Sequence, residues 1–83
     1  MRYRFQVEDI VAAKGKLPRD ERSDLIRYFS ETSVEAEDGV KAGRALARKA
    51  AGRLSRDSSP EQLVLTLPDY GNCQLIVRVY AED

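Results

Sequence analysis

The side chains able to do chemistry in this chain are few. There is no histidine, so the commonest general acid–base group and metal ligand is missing. Serine or cysteine nucleophiles activated by a histidine are thereby ruled out. Cys73 is the single cysteine; it closes no intrachain disulfide and anchors no Cys/His zinc cluster. It stands in an apolar, strand-like run with Arg78 as the only local cation. A reactive thiol needs nearby positive charge or a helix N-terminus, whereas a free cysteine among apolar neighbours behaves as a small hydrophobe.

Close pairs of carboxylates occur at Glu8–Asp9, Asp20–Glu21 and Glu35 with Glu37. Glu35 and Glu37 would share one face of a strand, a spacing compatible with acid–base work or Mg²⁺ binding. The plainer reading is a solvated strand edge followed by a charged helix start, with no apolar setting to perturb either group. No stretch matches a phosphate-binding loop, a dinucleotide fingerprint or a calcium loop. The residues therefore point to a non-enzymatic chain with no catalytic residues, no metal and no cofactor, one that works by binding.

What it would bind with is concentrated in one place. Between Gly39 and Arg56 the sequence has six positive residues and no negative one. Lys41, Arg44 and Arg48 form one helical stripe, and Lys49, Arg53 and Arg56 a neighbouring one. Two readings stand: a solvated face of the kind charged helices usually carry, or a patch for phosphates or an acidic protein surface. Arginine predominates, and its planar fork suits carboxylate and phosphate. Nucleic acid would also want aromatic rings on that surface for stacking, and the segment has none. Tyr70, beside Gly71 and Asn72, is the aromatic most exposed by its setting, and exposed tyrosines at loop tips serve as anchors. The candidate partner-binding residues are thus Lys41, Arg44, Arg48, Lys49, Arg53 and Tyr70.

The elements that must hold these residues can be read from periodicity. Tyr3, Phe5 and Val7 alternate with Arg2, Arg4, Gln6 and Glu8, the period of two of a half-buried strand, fading through Ile10 and Val11. Residues 12–20 read as a polar connection punctuated by Gly15 and Pro18. In the next segment, Pro18, Asp20 and Glu21 resemble a helix start, with Leu25, Ile26 and Phe29 as a helical face. Against that, Ile26, Tyr28, Val34 and Ala36 share one parity, and Ser30, Thr32, Ser33 and Val34 are poor helix formers. The segment is expected to be a strand over 25–36, after at most one helical turn. Val40 to Leu54 is the clearest helix, rich in Ala, Arg, Leu and Lys, with acids before it and bases at its end to complement the macrodipole. Gly43, Leu46, Ala47, Ala50 and Leu54 form its apolar arc, small enough to lie close to a sheet. Residues 55–60 are a loop. Leu63, Leu65 and Leu67, the turn residues 68–72, and Leu75, Val77 and Val79 then read as a β-hairpin.

The sum is a single α+β domain over residues 1–83: a four-stranded antiparallel sheet with one long helix packed on one face, in the order β-β-α-β-β. The other face would present Val64, Thr66, Gln74, Ile76, Arg78 and Tyr80. With 83 residues the core is small for independent stability, which leaves both a monomer and a homodimer open. The chain is 42% apolar and 34% charged with zero formal net charge, and no stretch approaches the roughly 20 apolar residues that span a bilayer. A cytoplasmic protein with no membrane partner is expected.

The run Val34-Glu35-Ala36-Glu37-Asp38, with Ala42, Ala45 and Ala50 following at helical spacing, resembles the strand-to-helix junction of many small phage and mobile-element proteins. Several anti-CRISPR inhibitors have this architecture. The resemblance covers residues 26–55, and it assigns no functional residue. It implies a phage-type inhibitor that blocks a host nucleoprotein, such as a CRISPR-Cas complex, by direct stoichiometric binding. The alternative is a small nucleic-acid-binding protein that uses the basic helix face.

Overall fold

The computed structural model describes residues 1–12, 17–59 and 61–82. Lys14, Gly15 and Lys16 of the polar connection, and Pro60 of the following loop, lie outside the described residues. The elements are β1 (Arg2–Val11), α1 (Arg19–Glu31), β2 (Ser33–Glu35), α2 (Gly39–Lys49), β3 (Arg53–Leu54), β4 (Leu63–Leu67), a 3-10 turn (Pro68–Tyr70) and β5 (Cys73–Glu82). The strands form one five-stranded sheet in the order β2-β1-β5-β4-β3, every neighbouring pair antiparallel.

This corrects the expected four strands and one helix. The segment read as a strand over 25–36 is helix to Glu31, and only Ser33–Glu35 pairs as a strand, Val34 lying opposite Tyr3. The helix-start signal prevails. Pro18 stands at the N-cap, Asp20 and Glu21 fill the first turn, and Leu25 and Phe29, one turn apart, are both buried. An apolar pair at that spacing puts two side chains on one helical face, and burying them outweighs the weak intrinsic preference of a few residues. Ile26 and Tyr28, half of the apparent strand parity, are exposed. Thr32 ends the helix in an extended conformation, its hydroxyl donating to the Tyr28 carbonyl at 2.6 Å.

The second helix is shorter than expected. Asp38 caps its N-terminus, accepting from the Lys41 N–H at 2.9 Å, as a short acidic side chain does for orphan helix donors. At the other end, Ala51 adopts a left-handed φ of 53° and the Gly52 N–H closes onto the Ala47 carbonyl at 2.8 Å. The chain then enters β3, a strand the sequence reading did not contain, paired Arg53 to Thr66 and Leu54 to Leu65.

Both helices bury their apolar faces in one core with the inward side chains of the sheet. Leu25 and Phe29 of α1 and Ala42, Leu46 and Ala47 of α2 join Tyr3, Phe5, Leu63, Leu65, Leu75 and Val77. Gly43 allows the close approach: a Cβ there would stand 2.9 Å from Leu63 Cδ2. A register shift between Val7 and Asp9 returns Ile10 to the buried side, which explains why the alternation of β1 fades there. Val64, Thr66 and Ile76 are half-buried and Gln74, Arg78 and Tyr80 exposed, on the face the helices leave uncovered.

Candidate functional site

The six candidate residues do not form one surface. Arg44 and Arg48 are exposed one turn apart on α2, the spacing at which helical side chains are neighbours. No carboxylate lies within 4 Å of either among the described residues. Lys41 is different: its Nζ sits 2.7 Å from Glu37 Oε2. That pair is exposed, and exposed ion pairs of this kind hold their partners weakly.

Arg53 leaves the stripe. Because α2 stops at Lys49 and the chain turns at Ala51 and Gly52, Arg53 follows the alternation of a strand rather than the turn of a helix. Leu54 opposes Leu65 on the core side, so Arg53 opposes Thr66 on the uncovered side of the sheet. Arg56 returns to the α2 side, lining with Arg44 a shallow cleft of about 340 Å³ together with Val40, Leu54, Ser55 and Ser58. Lys49, at the end of α2 and also unpaired among the described residues, turns to a different groove. Arg44, Arg48 and Arg56 are therefore the unpaired arginines around α2. The third of them depends on a strand and a turn that helical spacing alone did not reveal.

Lys49 and Tyr70 meet elsewhere. Both line a groove between α1, the C-terminal end of α2 and the 3-10 turn, and Asp24, Tyr28 and Asp69 line it too. Tyr70 is 39% exposed, as expected from its turn, although Tyr28 at 43% and Tyr80 at 45% exceed it, so it is not the most exposed aromatic. Its neighbours Gly71 and Asn72 both take left-handed φ values, 66° and 58°, a conformation that glycine and asparagine tolerate.

Glu35, Glu37 and Asp9, three of the carboxylates singled out by their spacing, are engaged locally, and the thiol is buried. Glu35 faces the N-terminal amine of Met1 at 3.4 Å and Arg2 Nε at 3.7 Å, while Glu37, beyond the end of β2 rather than on the same strand face, faces Lys41. Both line one open depression with Met1, Ala36 and Lys41, each already beside a cation. Asp9 Oδ1 accepts from the Ile10 N–H at 2.8 Å. No group of three or more Cys, Asp or Glu side chains among the described residues is placed to hold a metal ion. Cys73 is buried, and burial raises its thiol pKa, with the Glu21 carboxylate adding to the rise against a backbone hydrogen bond that lowers it. The charge that reaches the thiol is thus a carboxylate from α1, not Arg78.

No described helix is long and apolar enough to cross a membrane. No family model, no curated protein and no solved structure matches the chain.

Proposed function

We propose that this chain is a non-enzymatic binding module that engages an acidic surface of a partner protein through Arg44, Arg48 and Arg56. One observation carries the reading. Arg44 and Arg48 stand exposed one helical turn apart, with Arg56 beside Arg44 in the same cleft. Like Arg19, Arg22, Arg27, Lys49, Arg53 and Arg78, they have no carboxylate within 4 Å among the described residues, so their clustering, not the missing partner alone, sets them apart. An unpaired guanidinium fork offers bidentate hydrogen bonds to a carboxylate at little cost in preorganisation. Such charges speed encounter and select the partner's register. A protein surface is favoured over nucleic acid because the cleft shared by Arg44 and Arg56 is walled by Val40 and Leu54 and has no aromatic ring for a base to stack on. Phage-type blocking of a host nucleoprotein complex is the more specific form of this proposal.

The test is capture from a nuclease-treated lysate by the parent chain and by an Arg44→Glu/Arg48→Glu variant, side by side. A defined protein that the parent retains and the variant loses supports the reading. Equal retention by both, or binding that vanishes with nuclease and falls steeply with salt as phosphate contacts do, contradicts it.

A further inference from the structure

The groove that holds Tyr70 has its own chemistry, of the opposite sign to the arginine cleft. Its volume is about 410 Å³, and small-ligand sites begin at about 300 Å³. Its floor is apolar: Leu25, Phe29 and Leu67, all buried, contribute lining atoms. Its rim has two tyrosines, Tyr28 at 43% and Tyr70 at 39% exposure. Tyr28 is braced edge-on against Phe29, with ring centroids 5.3 Å apart and planes at 87°, an arrangement aromatic pairs favour. Its ring is thus held in place at the mouth.

Charge completes the picture. Asp24 and Asp69 line the groove, and neither has a cation within 4 Å among the described residues. Lys49 also lines it but reaches neither carboxylate, leaving two negative groups against one positive. The wall at Lys49, Ala50 and Ala51 is the C-terminal end of α2, and helix C-termini carry partial negative charge that favours cations. Apolar floor, aromatic rim and unpaired carboxylates are together what a guanidinium recognises. It is planar and weakly hydrated, stacks on tyrosine and forks onto carboxylates, while its alkyl stem lies along apolar surface.

We propose that this groove is a second binding site, one that receives an arginine side chain presented by a partner. It is independent of the cleft lined by Arg44 and Arg56, so the chain would grip one partner, or two, through patches of opposite charge.

The probe is N-acetyl-arginine amide, titrated into the ¹⁵N-labelled protein and followed by amide shifts. Its uncharged isostere, N-acetyl-citrulline amide, and N-acetyl-glutamate amide run alongside. The expected result is saturable shifts confined to residues 24–29, 49–51 and 69–71. Such a lone side chain binds weakly, with Kd on the order of millimolar. Asp24→Asn/Asp69→Asn should weaken it about tenfold or more through loss of charge-assisted bonds. Lys49→Ala should tighten it a few-fold by removing a like charge. The amide spectra of these exposed-site variants report directly whether the fold is kept, and Arg78→Gln, on the sheet face away from the groove, should leave the titration unchanged. Equal shifts with the citrulline or glutamate compound, shifts scattered elsewhere, or an arginine titration unaffected by the double Asn variant would each overturn the proposal.

Discussion

At the scale of single residues, Cys73 is buried, with its thiol shielded from solvent. The apolar run around Cys73 already indicated a buried, structural cysteine. The raised pKa adds a consequence in pH. The unfolded thiol ionises near its ordinary value of 9.0, while the folded thiol keeps its proton to higher pH. Over that interval the native state binds more protons than the unfolded state, so stability falls as pH rises through 9 and levels off once the folded thiol ionises. Urea unfolding at pH 8 and pH 10, for the parent and for Cys73→Ala, measures this: the parent loses more stability between the two pH values than the variant. Arg4 is the opposite case, a residue whose role sequence gives no hint of. Helix α1 has no basic residue in its last turn, and Arg4 reaches across from β1 to donate to the Ser30 carbonyl at 2.8 Å while lying 3.5 Å from Glu82. That contact exists only once β1 and the end of α1 are neighbours, so no local pattern announces it.

Among the elements, the long alternating strands and the final hairpin were legible because their period is unambiguous: Leu63, Leu65 and Leu67 are all buried, and so are Leu75, Val77 and Val79. Helix α1 was not, since Leu25 and Phe29 are its only buried residues, a stripe too narrow to dominate the parity of Ile26, Tyr28 and Val34. The three residues of β2 lay inside the expected strand over 25–36, which was drawn too long because the same parity ran back through the helix. The two residues of β3 did escape: too short to show a period, they were absorbed into the helix because an arginine and a leucine continue its composition. The small side chains of α2 were read correctly, and they carry a prediction. Gly43→Val would drive a branched side chain into buried Leu63, and overpacking of this kind costs about 1–3 kcal/mol. The Gly43→Val/Leu63→Ala double variant makes room for it, so chemical denaturation should find it less destabilised than the sum of its parts. Strict additivity would mean that Gly43 does not set the distance between α2 and the sheet.

Over the whole molecule, the sheet is finished in a way that steers interactions away from its edges. The outermost strands, β2 and β3, are its shortest, a common means of denying a template to another chain. The shift in β1 with Asp9 closing on the Ile10 N–H acts in the same direction. Binding then falls to side chains on the two faces of the sheet: on the helical side the arginines around α2 and the tyrosine–aspartate groove at its end, and on the other the uncovered face with Arg53, Arg78 and Tyr80. Lys41, Arg44, Arg48 and Lys49 lie on α2 as expected, but Arg53 does not, and two surfaces were merged into one because a helix extended to Leu54 brings Lys49 and Arg53 into line. The early stop at Lys49 separates them.

If Arg44 and Arg48 are held for something outside the chain, they contribute little to its own fold. Equilibrium urea unfolding of Arg44→Gln/Arg48→Gln tests this most directly. Arginines without internal partners leave the free energy of unfolding within about 1 kcal/mol of the parent, the scale of a helix-terminus charge effect. A loss of about 3 kcal/mol or more, the size expected when one partner of a buried ion pair is removed, would show that these side chains serve the fold and not a partner.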